Sequence, residues 1–189
     1  MMELISDAIQ FAVTAHDGMR RKSGDSPYIL HPLEAAVIVG TMTDDQHSIA
    51  AAVLHDTVED ADIPLREIEE RFGHRVAALV RSETENKKPH LPPASTWRMR
   101  KEESLKVLEE TEDTAVLMVW LGDKLANLRA IYREWKRDGD AVWQKFHQQD
   151  PAEQGWYYTA IADLTEQLKD YPAWQEYKTL TERLFKKGI

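Results

Sequence analysis

The segment Ile49-Ala50-Ala51-Ala52-Val53-Leu54-His55-Asp56-Thr57-Val58-Glu59-Asp60 follows small apolar residues with four ionisable ones crowded into six positions. On a helix His55 and Glu59 stand four apart, and so do Asp56 and Asp60, so one helix end presents an imidazole and three carboxylates. Burying so many acids is costly unless they are paired or bind a cation. A solvated helix end would carry the same His-Asp pair, so the reading needs support from the rest of the chain. His31 precedes Pro32 at the start of a helix, where a lone histidine would serve as a cap or lie on the surface. Asp123 follows the apolar stretch 116–121 and is flanked by Leu125 and Leu128. An acid in such a helix needs a partner. Lys124 or Arg129 could supply a salt bridge, and Asn127, one turn on, adds a second polar group to the same face.

Taken together, His31, His55, Asp56 and Asp123 offer two imidazoles and two carboxylates, with Glu59 and Asp60 to spare. Nitrogen and oxygen ligands without sulfur suit Mn²⁺, Fe²⁺ or Zn²⁺. An octahedral ion would leave positions for water and a substrate oxygen, and Glu59 or Asp60 can orient or deprotonate that water. A basic run, Arg20-Arg21-Lys22-Ser23-Gly24, lies shortly before His31. Such runs are commonly solvated, but here they suit a phosphate contact, and a planar guanidinium can also stack on a purine.

The bulk composition agrees. The chain has 189 residues, 42% hydrophobic and 30% charged, the mix of a globular domain, and we read residues 1–189 as one. With no cysteine, disulfides, thiolate metal sites and a cysteine nucleophile are excluded. The net charge of -9 disfavours nucleic acid and anionic membrane as partners, so an anionic substrate needs a local basic patch or a cation. No apolar run is long enough for a membrane span, and the start of the chain lacks the pattern of a signal peptide, so a cytoplasmic location is expected.

The elements that must position these groups read as helices throughout. The spacing predicts helices over 4–15 and 32–42, and another over 44–58 with Thr43 and Gln46 as a capping box. A helix restarting near Asp62-Pro64 should stop at Phe72-Gly73, with a short one following over 74–80. Further helices are expected over 97–110, over 115–136 capped by Thr114, over 153–169 and over 173–186. The stretches 18–30 and 85–96 read as loops, and no window alternates like a strand.

The order His31, His55-Asp56, Asp123 resembles that of the HD-domain metal-dependent phosphohydrolases. The surrounding wording is narrower: Ala15-His16-Asp17-Gly18, Arg21-Lys22-Ser23-Gly24, Pro27-Tyr28-Ile29-Leu30-His31-Pro32, the segment 52–60, and Asp123-Lys124-Leu125-Ala126-Asn127-Leu128-Arg129. These look like the hydrolase domain of the RelA/SpoT proteins, and most like its stand-alone form, the small alarmone hydrolases of the metazoan SpoT-homologue kind. The resemblance implies an all-α helical bundle of about eight to ten helices, one Mn²⁺, and removal of the 3′-pyrophosphate from ppGpp, pppGpp or the adenine alarmone ppApp. It implies His31, His55, Asp56 and Asp123 as ligands and Glu59 with Asp60 as the water-activating pair. It also implies Arg21, Lys22, Ser23, Lys87, Asn127 and Tyr158 as nucleotide contacts, with a core aromatic as the competing role for Tyr158. A homodimer is compatible with it. The stretch 81–88 lacks the Val-Thr-Lys wording of the long bifunctional enzymes, Asn86 stands where stand-alone members usually have aspartate, and no synthetase region is present, so hydrolysis alone is expected. Competing readings are an NADPH 2′-phosphatase, another HD nucleotidase, or a non-catalytic nucleotide-binding scaffold.

Overall fold

The computed structural model describes residues 3–21, 26–88 and 90–185. Among them the chain is all-α, and its only β feature is an isolated bridge between Arg20 and Pro27. Nine α-helices follow in order: α1 (Glu3–Ala15), α2 (Leu30–Gly40), α3 (Gln46–Leu54), α4 (Thr57–Asp60), α5 (Leu65–Glu83), α6 (Pro93–Glu110), α7 (Thr114–Asp138), α8 (Pro151–Leu164) and α9 (Pro172–Phe185). Two 3₁₀ segments, Gly139–Lys145 and Glu166–Leu168, join the last three, and the first was not expected from sequence. No helix among the described residues is long and apolar enough to cross a membrane.

The helix expected over 44–58 is instead two. α3 stops at Leu54, and α4 restarts at Thr57. Side chains here compete for the backbone. The Thr57 hydroxyl donates to the Leu54 carbonyl at 2.7 Å, and Nδ1 of His55 stands 2.8 Å from the Ala52 carbonyl. His55 and Asp56 therefore lie in the turn between the two helices, not on one continuous face. The N-cap of α3 is Asp45, which accepts from the backbone N–H groups of His47 and Ser48, while the Thr43 hydroxyl accepts only from Asp45. Likewise Asp113, not Thr114, caps α7. The break expected at Gly73 is present as a residue with φ of 86° inside α5, a conformation natural only to glycine.

α7 is the axis of the bundle. It packs against α2, α3, α5 and α9, and residues from Val116 to Asp123 on it are all buried. α3, from Ala50 to Leu54, is completely buried, enclosed by α1, α2, α5 and α7. α2 and α7 form the most extensive helix pair, and Gly122 sets their separation. A Cβ there would stand 2.6 Å from Val39 Cγ2 and 2.9 Å from the Ala35 carbonyl oxygen. Since α2 carries His31 and Gly122 precedes Asp123, this approach also decides whether imidazole and carboxylate can meet. We expect Gly122→Ala to cost roughly 1–3 kcal/mol of stability in urea unfolding, because the added methyl must push α2 away. Divalent-cation uptake should weaken in the same variant.

Candidate metal centre

Three segments converge on one cluster. His31 comes from the first turn of α2, His55 and Asp56 from the α3–α4 turn, and Asp123 from the middle of α7. Nε2 of His31 lies 2.9 Å from Asp123 Oδ1 and 3.4 Å from Asp56 Oδ2. Nε2 of His55 lies 3.1 Å from Asp56 Oδ2 and 3.5 Å from Asp123 Oδ1. His31, His55 and Asp123 each offer a ligand atom within 4.8 Å of the others, and the Asp56 carboxylate stands against both imidazoles.

The electrostatics of the cluster call for a cation. Burial alone would raise the Asp56 carboxyl, but His55 and His31 overcome it and hold Asp56 well below the usual carboxylate range. Asp123 is likewise held low against its burial, by Lys124 and His55. Burial would lower His55, yet Asp56 and Asp123 hold it well above an ordinary imidazole. Because Nδ1 of His55 faces the Ala52 carbonyl, it carries the proton in the neutral ring, which leaves the Nε2 lone pair toward two carboxylates. That Nε2 is buried and aligned for a hydrogen bond with neither. Only a proton or a metal ion makes such an arrangement favourable. The donor set therefore fits a divalent metal.

The acidic pair lies beside this cluster, but its two members point to different partners. Asp60 accepts from the Tyr28 hydroxyl at 2.6 Å and from the Lys87 ammonium at 2.6 Å. Glu59 accepts from the Glu85 backbone N–H at 3.1 Å, and burial, with the Asp56 charge, raises its carboxyl. Lys87 also donates to the Glu59 carbonyl, so the lysine expected at a phosphate ties down the acidic pair here. Arg21 donates to Asn127 Oδ1 at 2.8 Å, and Asn127 donates to Asp123 Oδ1 at 2.7 Å. Lys22 and Ser23 lie outside the described residues. Tyr158 is not among the residues lining the pocket, although its phenol is within electrostatic reach of Lys124, Asp123 and Arg21. Its ring is stacked on Phe185 in the core, and its neighbour Tyr157 lines the pocket instead.

Tyr28 is the missed site residue that joins the two acidic groups. Its hydroxyl bridges Asp56 Oδ2 at 2.8 Å and Asp60 Oδ2 at 2.6 Å, joining the metal cluster to the acidic pair. Burial and these two carboxylates push the phenol far up, so it remains a donor. Its ring packs on His16 and His31, with the Arg21 guanidinium 5.5 Å above. Its place in the segment 27–32 was visible in the sequence, but its reach of 28 and 32 residues to Asp56 and Asp60 was not.

Most of these groups open on one pocket of about 200 Å³, lined by Arg21, Tyr28, His31, Asp56, Glu59 and Asp60 from the first part of the chain and by Lys101, Asp123, Lys124 and Asn127 further on. A family model described as an HD domain matches residues 8–151. The chain belongs to the HD-domain family. Divalent-metal binding is a property of HD domains, in keeping with the cluster just described. A guanosine-3′,5′-bis(diphosphate) 3′-pyrophosphohydrolase of Aquifex aeolicus is 39% identical over 137 residues, 71% of this chain and 19% of that protein. A GTP pyrophosphokinase of Brucella ovis is 39% identical over 136 residues, covering 71% of this chain and 18% of its own length. The chain thus spans less than a fifth of these curated relatives. Among solved structures, a metazoan orthologue of SpoT that hydrolyses ppGpp superposes with a TM-score of 0.73 at 24% identity, over 95% of this chain and 94% of that one. The protein lmo0812 of Listeria monocytogenes superposes with a TM-score of 0.72 at 31% identity, over 83% of this chain and 99% of its own. The first of these likenesses is one of fold, and HD-domain geometry is what it shares with this chain.

Two measurements follow from the geometry. Tyr28→Phe keeps the ring and removes the bridge. It should fold normally and bind Mn²⁺ roughly 10–100-fold more weakly in calorimetric titration, the usual cost of losing a group that orients a ligand. Glu83, buried near the cluster beside Lys124, has its carboxyl pushed up by burial from 4.5 to about 7. The folded chain then holds a proton that the unfolded chain releases. This contribution to stability is fully present below about pH 4.5 and is lost as the pH rises through about 7. In metal-free protein Glu83→Gln should therefore gain melting temperature relative to wild type as the pH is raised, and a constant difference across that range would contradict the assignment.

Proposed function

We propose that this chain is a one-domain hydrolase that removes the 3′-diphosphate from a guanine or adenine alarmone such as ppGpp. The carrying observation is the His55 Nε2 lone pair facing Asp56 and Asp123, with an acidic pair and an arginine–asparagine pair opening on the same pocket. The curated relatives' names support the substrate class. His31, His55, Asp56 and Asp123 would hold Mn²⁺, which fits their nitrogen and oxygen donors. When bound, such an ion polarises a phosphoryl oxygen and makes water more acidic.

The chain's own groups supply the rest. Asp60, fixed by Tyr28 and Lys87, accepts the proton of the attacking water. The water oxygen bonds to the 3′-phosphorus, the bond from phosphorus to the 3′-oxygen breaks, and that oxygen leaves with a proton. The raised carboxyl of Glu59 is suited to hold such a proton. Arg21, with Lys22, Ser23 and Asn127, would hold the nucleoside. Arg21 also borders a cleft of about 300 Å³ beside Met19, Lys145 and Phe146, roomy enough for a base. Tyr157 lines the pocket as well and would add an aromatic contact beside the one expected of Tyr158.

The test is a panel of ppGpp, pppGpp, ppApp and NADPH with Mn²⁺ and product identification. Diphosphate should be released from at least one alarmone, and Asp56→Ala should lose on the order of 10³-fold in rate, since a polarising cation is worth several kcal/mol. Phosphate release from NADPH with no turnover of any alarmone would instead make the chain a nucleotide 2′-phosphatase. A purified protein that takes up no Mn²⁺ would overturn both.

A further inference from the structure

Beyond the histidine–carboxylate cluster, the same pocket has a second wall with the opposite chemistry. It is built from Lys101 on α6 and Lys124 on α7. Each ammonium lies against an aromatic face, Lys124 at 4.8 Å from the centre of the Trp120 ring and Lys101 at 4.9 Å from that of Tyr157. Each is paired with an acid at or just past the end of α5, Lys124 with Glu83 at 3.3 Å and Lys101 with Glu85 at 2.7 Å. Glu85 also takes the Arg100 guanidinium. Lys124 further pairs with Asp123.

Two observations set this wall apart from an ordinary buried ion-pair network. A structural network satisfies its polar atoms, because an unpaired buried one is expensive. Here Oε1 of Glu83 is buried without any partner, and Glu83 lines the pocket. Its side chain is only 2% exposed, so bulk water does not serve that oxygen. Second, Asp123 belongs to both walls. Once Asp123 serves a cation, Lys124 loses part of its counter-charge, and the two ammoniums face open volume with less acid to balance them. Burial and the nearby Lys124 lower the Lys101 ammonium to about 8 even with Glu85 beside it.

We propose that Lys101, Lys124 and Glu83 form a second phosphate subsite, which takes the outer phosphate of a 3′-diphosphate whose inner phosphate faces the histidine–carboxylate cluster. The two ammoniums hold the outer phosphate's anionic oxygens, and Oε1 of Glu83 accepts from its remaining P–OH. The wall selects diphosphate esters over monophosphate esters. The assignment rests on the proposed reaction for its substrate, but not for its ligand, since free inorganic diphosphate carries the same two phosphates.

The experiment compares inorganic diphosphate with orthophosphate on the Mn²⁺-loaded chain by calorimetric titration. Wild type should bind diphosphate at least roughly tenfold more tightly than orthophosphate, the value of one charge-assisted contact. Lys101→Met, which keeps the stem over Tyr157, should lose that margin while Mn²⁺ and orthophosphate affinities stay put. Unchanged diphosphate binding in Lys101→Met would overturn the subsite. A readout on wild type guards against a misfolded variant: diphosphate, but not orthophosphate, should slow acetylation of Lys101 measured by mass spectrometry, and equal labelling rates would overturn the proposal as well. If no alarmone is hydrolysed yet diphosphate still protects Lys101, the reaction fails and the subsite stands. If an alarmone is hydrolysed and Lys101 is indifferent to diphosphate, the subsite fails and the reaction stands.

Discussion

Two carboxylates, the partly buried Asp56 and the buried Asp123, sit against two imidazoles at the centre of an apolar helix bundle, and the surrounding architecture answers to their charge. Neither acid could stay ionised there alone, because desolvation would protonate it. Keeping them charged requires His31 and His55 within contact distance, and those come from two further elements. The close α2–α7 approach at Gly122 brings His31 to Asp123. His55 and Asp56, adjacent in the turn between α3 and α4, both reach the cluster, with His55 Nε2 3.1 Å from Asp56 Oδ2.

The charge of the cluster then organises what lies around it. Tyr28 carries the order of Asp56 outward to Asp60, and Lys87 fixes Asp60 from the other side. Asn127 links Asp123 to Arg21, so the arginine of the basic loop is tied to the metal cluster through two hydrogen bonds. Lys124 extends the same network toward Glu83 and the lysine wall. A chain with a net charge of -9 can thus offer an anion a pocket with arginine and lysines among its lining residues.

What was legible in the sequence was chemistry tied to local spacing. His55-Asp56 and Glu59-Asp60 stood out because four ionisable groups followed an alanine-rich apolar run, and Asp123 because its helix is otherwise apolar. Helix positions were legible for the same reason, and so was the break at Gly73. Contacts that depend on which face of a helix looks inward were not. Tyr157 and Tyr158 differ by one position, and only the packing of α8 sends one to the pocket and the other onto Phe185. Lys101 and Glu83 sit in charged stretches of the sequence, and only the tertiary packing leaves Lys101 half-buried, buries Glu83 and brings both to the pocket. The caps went to Asp45 and Asp113 over the adjacent threonines, since a carboxylate can serve more than one N–H and Asp113 also pairs with Arg75.

The same electrostatics fix how the cluster behaves without a metal. Held above its ordinary value by Asp56 and Asp123, His55 keeps a proton where a metal would otherwise offset the two acids. Its stabilising contribution is present below the unfolded imidazole value and is lost as the pH rises through the higher folded one. A metal ion needs the Nε2 lone pair and must displace that proton, so cation uptake and proton release are one event at this site. The proton is a small, single charge and the divalent ion a larger, double one. Exchanging them shifts the balance of Asp123 between His31, His55 and Lys124, which share its two oxygens with the Asn127 amide. Asp123 is therefore the residue through which occupancy of the cluster reaches the lysine wall, and among the described residues it alone of the four cluster residues has an ammonium as a direct partner.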